Sequence, residues 1–367
     1  MNKATQQNDC HFMNRIGWSS FFHNQLETLG YDLKDIARVT SVRRGCFLVS
    51  QGMEEILVTA SGALAHRQGP YPVAGDWVVL NNSVLSAVLP RRNTLARGAA
   101  GARGKLNGAA RREQVMAANL DTVLIVCGLD QDFNPARMER YLTLVHNCGL
   151  RPAIVLTKAD IHPSPADCKA EAETVAIGVP IHLVSALDPS GPVELEPYIA
   201  PGNTIALIGS SGAGKSTLVN RLAGQAVRSA GEVSQSDGKG RHTTTSRDMF
   251  FMPQGGMVID NPGIREIAFW DDQGGVDAAF PDIERLARDC RFSDCSHAHE
   301  PGCRVLSAVE GGELHPERLA SWKKMRQELE YAAQRQTKTS GRIEKERWKE
   351  VATLVKTIKK GRKHGGR

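Results

Sequence analysis

Gly209-Ser210-Ser211-Gly212-Ala213-Gly214-Lys215-Ser216-Thr217 satisfies the pattern GxxxxGK[ST] in full, after an apolar run at 204–208 and before the helix-like LVNRLAG of 218–224. The order strand, glycine-rich turn, helix is what a phosphate-binding loop requires. The turn's backbone N–H groups surround the phosphates at a helix N-terminus, Lys215 bridges the β- and γ-phosphates, and the Ser216 hydroxyl holds Mg²⁺. This loop implies a nucleoside triphosphate without naming its base.

Upstream, Thr157-Lys158-Ala159-Asp160 closes the apolar run RPAIVL. A carboxylate there accepts from guanine N1–H and the exocyclic amine, a donor pair that adenine lacks, so Asp160 reads as the guanine selector. Ser185-Ala186 ends the following run IHLV and supplies a backbone N–H for guanine O6. Downstream, Asp260-Asn261-Pro262-Gly263 follows MVI as a DxxG motif, in which Asp260 reaches Mg²⁺ through water and the Gly263 N–H faces the γ-phosphate. Between the two lies Gly240-Arg241-His242-Thr243-Thr244-Thr245, one of whose threonines completes the Mg²⁺ shell; Thr244 is taken as the candidate. Ordinary GTPases run phosphate loop, switch threonine, DxxG, base selector, Ser-Ala. Here the base-reading pair precedes the phosphate loop, so the domain is circularly permuted, and the chain runs from Gly263 straight into a Cys/His segment.

That segment contains Cys290, Cys295, His297 and Cys303, three thiolates and an imidazole, the set that closes a tetrahedral structural Zn²⁺ site; His299 is the alternative imidazole. The other five cysteines are scattered and read as small buried hydrophobes.

Working outward, five short β-prone runs between residues 36 and 92 suggest a small barrel, for which an OB-type barrel is the commonest five-stranded solution and an SH3-like barrel the competitor. Beyond them, apolar runs alternate with helix-length segments such as 134–147 and 216–223, the signature of α/β with a mainly parallel sheet. Past Asp271 the strands stop, and 313–334 and 345–360 read as helices. The expected division is an N-terminal extension (1–35), the barrel (36–95), a basic linker (96–112), a circularly permuted GTPase domain (113–275) and a helical zinc-binding domain with a basic tail (276–367).

The 367 residues carry a net charge of only +6, but the 15 Lys/Arg against 5 Asp/Glu after residue 320 concentrate it at the C-terminal end. Seven further Lys/Arg, with no acidic residue, lie between 91 and 112. Two such clusters favour a polyanion such as RNA, bound through its backbone because aromatic residues make up only 5%. No apolar run reaches the ~18 residues of a membrane span and the N-terminus lacks an apolar signal core, so a cytoplasmic protein is expected.

The permuted order, GDWV at 75–78, LPRRN at 89–93, EQVMAANLD at 113–121, GRHTTT, DNPG and the Cys-x4-Cys-x-His-x5-Cys cluster together resemble the bacterial small-subunit-dependent GTPase family known as RsgA or YjeQ. The resemblance spans residues 36 to 350; the first 35 residues and the linker depart from it. It favours His297 over His299. It also points to His242 as the group that orients the attacking water, since Ile264 follows Gly263 where Ras-like enzymes place a glutamine. Catalysis would then rest on His242, Lys215 and the Gly263 N–H. The resemblance implies GTP/GDP, Mg²⁺ and one structural Zn²⁺, and a monomer acting on the small ribosomal subunit and its rRNA. There it would hydrolyse GTP in a ribosome-stimulated manner during late subunit maturation. The alternative is a nucleotide-gated rRNA-binding protein in which hydrolysis is incidental.

Overall fold

The structure, a computed structural model, describes residues 13–52, 54–66, 70–98, 113–130, 132–185, 188, 192–227, 247–260 and 274–337. After an N-terminal helix come five strands: β1 (Ile36–Arg43), β2 (Cys46–Ser50), β3 (Glu55–Ala60), β4 (Trp77–Asn81) and β5 (Val84–Val88). They join in the order β1-β2-β3-β5-β4 and β4 closes back on β1; β3 and β5 are parallel, all other pairs antiparallel. This closed five-strand order, with the short helix Gly62–His66 between β3 and β4, is that of an OB barrel. Alternation along the strands assigns two faces. Ala37, Val39, Phe47, Val49, Val58, Val78, Leu80 and Leu85 fill the barrel. Ile36, Trp77, Val79 and Leu89 point outward into a second, larger core.

The outward face is covered from the N-terminal side. Helix Ser20–Leu29 buries Phe22 and Leu26, and Trp18 stands edge-on to Trp77 with ring centroids 4.8 Å apart. The few apolar residues of this N-terminal extension gain a partner only once the barrel has formed.

Three motifs converge on the seam between barrel and nucleotide domain. Gly75 has φ +93° and a Cβ there would sit 2.1 Å from the Ala118 carbonyl oxygen, so only glycine fits. Asp76, fully buried, accepts two bonds from Arg91 (Nε and Nη2, both 2.8 Å) and one from the Val73 N–H. Asn93 and Leu120 exchange two bonds of 2.8 Å, and Asn119 donates to the Gly75 carbonyl at 3.0 Å. Arg38, 1% exposed, donates to the carbonyls of Ile16, Gly75 and Asn119 and lies 5.4 Å from the Trp77 ring. Burial lowers its pKa to about 10.

Strands β6 (Thr94–Gly98) and β7 (Glu113–Ala118) form an antiparallel ribbon, so Ala96 to Gly98, expected as the start of the linker, are strand. Then come β8 (Thr122–Gly128), β9 (Pro152–Thr157), β10 (Ile181–Val184), β11 (Thr204–Ile208), β12 (Arg247–Phe251) and β13 (Met257–Asp260). Their spatial order is β10-β9-β8-β11-β13-β12, parallel except for β12, which pairs antiparallel with both β13 and β1 and so joins this sheet to the barrel. Helices Pro135–Asn147, Pro165–Val175 and Lys215–Ala223 connect or flank the strands. The C-terminal part is helical (Gly274–Ala279, Pro281–Ala287, Arg304–Glu310, Pro316–Thr337) and shares a core with helix Pro135–Asn147 through Val276, Phe280, Trp322 and Met325. Among the described residues no helix is long and apolar enough to cross a membrane.

Candidate nucleotide site and candidate metal centre

Strand β11 lies centrally, with β8 on one side and β13 on the other, and its register sets Leu207 opposite Asp260 and Ile208 opposite Ile125. The loop 209–217 therefore begins just beyond the carboxyl ends of the parallel strands, the usual ligand crevice of such sheets. Gly209 has φ +145° and its absent Cβ would stand 2.1 Å from the Val126 carbonyl oxygen, which is why the loop can turn this tightly. Gly212 and Gly214 also have positive φ, and helix Lys215–Ala223 starts directly after.

Lys215 is 8% exposed; its Nζ donates to the carbonyls of Gly209 (2.9 Å) and Ser210 (2.6 Å). An ammonium has three donors, so one remains for a phosphate. Burial lowers the Lys215 pKa, opposed first by the charge of Asp260 and then by that of Asp132. Ser216 and Thr217 occupy the first turn of the helix and are half-buried; Asp260 is 6% exposed at the end of β13.

Thr157 at the end of β9 is buried, and its hydroxyl donates to the Ala213 carbonyl at 2.6 Å, tying β9 to the loop 209–217. The next residue, Lys158, has φ +61° and its ammonium pairs with Asp130. That bond holds the Asp130 carboxyl below its ordinary pKa. Asp160 is exposed and lines an open cleft of about 480 Å³ with Ala159, Leu183, Ser185 and Asp188. Thr157, Lys158, Asp160, Ser185 and the loop Gly209, Ser210, Ser211, Gly212, Ala213, Gly214, Lys215, Ser216 and Thr217 thus share one end of the sheet. Ala186, His242, Thr244 and Gly263 lie outside the described residues, as do the basic residues 99–112 and the tail from 338 onward.

A second layer around the loop is carried by no short motif. Helix Pro135–Asn147 starts with Asn134, whose Oδ1 accepts the Arg137 N–H at 2.9 Å, and with Pro135 at its first position. Its first turn presents Arg137 to the phosphate loop: Nη1 donates to Ser210 Oγ at 2.7 Å and pairs with Asp132. The start signal Asn-Pro is legible in the sequence; that the first turn of the helix meets Ser210 depends on the β8–β11 pairing.

Cys290, Cys295, His297 and Cys303 bring their ligand atoms within 4.8 Å of one another. Cys290 Sγ is 3.9 Å from Cys303 Sγ and 3.6 Å from His297 Nδ1, and His297 Nδ1 is 3.4 Å from Cys303 Sγ. A tetrahedral Zn²⁺ with bonds of about 2.3 Å to sulfur and 2.0 Å to nitrogen sets such atoms about 3.5 to 3.8 Å apart, so the donor set fits that ion. His297 rather than His299 is the imidazole of the group, 3% exposed, at φ +56°, with its ring 5.3 Å from that of Trp322.

A GxxxxGK[ST] loop after the central strand β11, with the strand that ends in the Thr157–Asp160 motif earlier in the chain and separated from β11 by β8, is the arrangement of a circularly permuted GTPase. The sequence profile described as RsgA GTPase matches residues 88–270. A protein of Opitutus terrae named small ribosomal subunit biogenesis GTPase RsgA is 39% identical over 357 residues, covering 92% of this chain and 95% of its own. One of the same name from Methanosarcina acetivorans is 44% identical over 306 residues, 82% of this chain and 81% of its own. The crystal structure of YjeQ from Thermotoga maritima superposes with a TM-score of 0.59 at 27% identity, covering 80% of this chain and 98% of that one. The chain belongs to the RsgA family of small ribosomal subunit biogenesis GTPases.

Proposed function

We propose that the chain binds GTP across the carboxyl ends of β9 and β11, with the phosphates on residues 209–217 and guanine against Asp160, Ser185 and Ala186. It hydrolyses GTP to GDP and phosphate while engaged with the small ribosomal subunit in late maturation. The observation that carries this reading is the pair of contacts that pre-arrange the site: Lys215 held by the Gly209 and Ser210 carbonyls, and Thr157 bonded to Ala213. A loop already organised at both ends loses little entropy on binding, and its charge is set where the γ-phosphoryl group leaves.

Ser216, Asp260 and Thr244 are the candidate holders of Mg²⁺, which supplies charge neutralisation between the β- and γ-phosphates when bound. The Gly263 N–H faces the γ-phosphate, and His242 orients the water. Cys290, Cys295, His297 and Cys303 hold one Zn²⁺; four protein ligands leave no open position, so the ion stabilises the helical C-terminal part and takes no part in hydrolysis. The barrel and the two basic segments meet rRNA, and the chain works as a cytoplasmic monomer. GTP turnover with and without purified small subunits tests the reading. At least ~10-fold stimulation is expected; an unstimulated basal rate, with nucleotide-dependent subunit binding retained, would instead make hydrolysis incidental to RNA binding.

A further inference from the structure

Arg137 belongs to neither the phosphate-loop motif nor the base-reading motif, yet it touches the loop directly. Its guanidinium donates to Ser210 Oγ at 2.7 Å. Ser210 is also the residue whose carbonyl receives Lys215 Nζ at 2.6 Å. The same Nη1 also pairs with Asp132, and the Asp132 charge is among those felt by Lys215. Asp132 in turn donates its backbone N–H to Asp130 Oδ1 at 3.0 Å, and Asp130 is the partner of Lys158. A continuous polar path therefore runs from Lys158, two residues before the guanine selector, to Ser210, whose carbonyl holds the phosphate-loop lysine.

We propose that Arg137 is a positioning residue for GTP hydrolysis, acting in two ways on Lys215. It fixes Ser210 and with it the carbonyl that aims the ammonium, and it engages Asp132, which would otherwise draw that ammonium away from the phosphates. The inference rests on reading 209–217 as the nucleotide loop. Arg137 touches no reacting atom in this arrangement; its effect reaches the phosphates only through Ser210 and Lys215. Because negative charge builds up on the leaving oxygen between the β- and γ-phosphates toward the transition state, a misaimed Lys215 costs more there than in the ground state.

The test uses the full-length protein. Single-turnover GTP hydrolysis with small subunits and the affinity for a fluorescent GDP would be measured for wild type, Arg137→Ala, Arg137→Lys, Ser210→Ala and Arg137→Ala combined with Asp132→Asn. Thermal melting checks folding of each; the Arg137 side chain is 39% exposed, so its removal leaves no buried cavity. Arg137→Ala is expected to lower the single-turnover rate roughly 10-fold with GDP affinity within about 3-fold. Arg137→Lys, which keeps the charge but carries its donors on a shorter, non-planar side chain, falls between. Ser210→Ala loses rate by a smaller factor, and adding Asp132→Asn to Arg137→Ala recovers most of the loss, which a purely structural defect would not do. A wild-type rate in Arg137→Ala overturns the proposal, as does failure of Asp132→Asn to restore it when Ser210→Ala is itself unimpaired. Lys215→Ala separates the two levels: retained GTP affinity in that variant removes the nucleotide-loop reading, and the role of Arg137 with it.

Discussion

The Arg318 guanidinium and the Glu139 carboxylate form an ion pair of 2.7 Å, their side chains 5% and 2% exposed. Arg318 sits on helix Pro316–Thr337 of the C-terminal part, Glu139 on the helix whose first turn carries Arg137. The same guanidinium forks onto Asp282 (2.7 and 2.8 Å), donates to the carbonyls of Val175 and Ala279 at 3.1 Å, and stacks 4.5 Å from the Phe280 ring. Ser321 donates to the second Glu139 oxygen. The helical C-terminal part is thus fastened to the element beside the nucleotide site through the fold, independently of the chain after Asp260. A buried pair of this kind stabilises little relative to apolar packing, but its one-sided loss is costly.

Arg318→Ala should destabilise the protein by about 3 to 5 kcal/mol, because it leaves the Glu139 and Asp282 carboxylates without their buried counter-charge and removes the donor to the Val175 and Ala279 carbonyls. Arg318→Met together with Glu139→Gln and Asp282→Asn should recover part of that loss, having removed all three charges. Denaturant unfolding of the three proteins checks the order, and equal midpoints for wild type and Arg318→Ala would contradict it.

Asp160→Asn should weaken GTP binding by roughly 10-fold or more and shift preference toward xanthosine triphosphate, whose carbonyl replaces the guanine amine and accepts from the new amide. Nucleotide competition on both proteins measures this. An unchanged preference for GTP would remove Asp160 from the base site.

His242→Ala should lower subunit-stimulated hydrolysis at least ~10-fold with GTP affinity within a few fold, the pattern of a group that acts in the transition state alone. Single-turnover rates and a binding titration separate the two quantities. Equal stimulated rates would assign the water to another residue.

Purified protein should contain about one Zn per chain, and Cys295→Ser should lose it and loosen the helical C-terminal part, since metal binding and local folding are coupled. Elemental analysis and limited proteolysis report the two effects. Zinc retained at full occupancy would exclude Cys295 as a ligand.

Gly75→Ala should cost several kcal/mol, on the order of 3, because a methyl group cannot share the space of the Ala118 carbonyl and the backbone there is left-handed. The effect should appear as separate melting of barrel and nucleotide domain. A single unshifted transition would mean that the seam yields without strain.

What the sequence determined by itself was the chemistry that depends on short-range spacing. The phosphate loop, Asp160 with Ser185, Asp260, and the compact Cys290–Cys303 cluster are legible because their residue types must recur at fixed separations whatever surrounds them. Most strands of both sheets were legible too, as apolar runs bounded by Gly, Pro and Asn. Strand β12 and the β6–β7 ribbon were not, since RDMFF and EQVMAA show no clear period of their own. Nor was the burial of Trp18, Phe22 and Leu26, whose partner Trp77 is outward-facing in the barrel. Only tertiary structure could bring Arg137 to Ser210, 73 positions away, or Arg318 to Glu139 across 179. Those contacts are set by which strands lie side by side and by which way a helix docks, and such choices follow from packing summed over the whole core, so no local pattern records them.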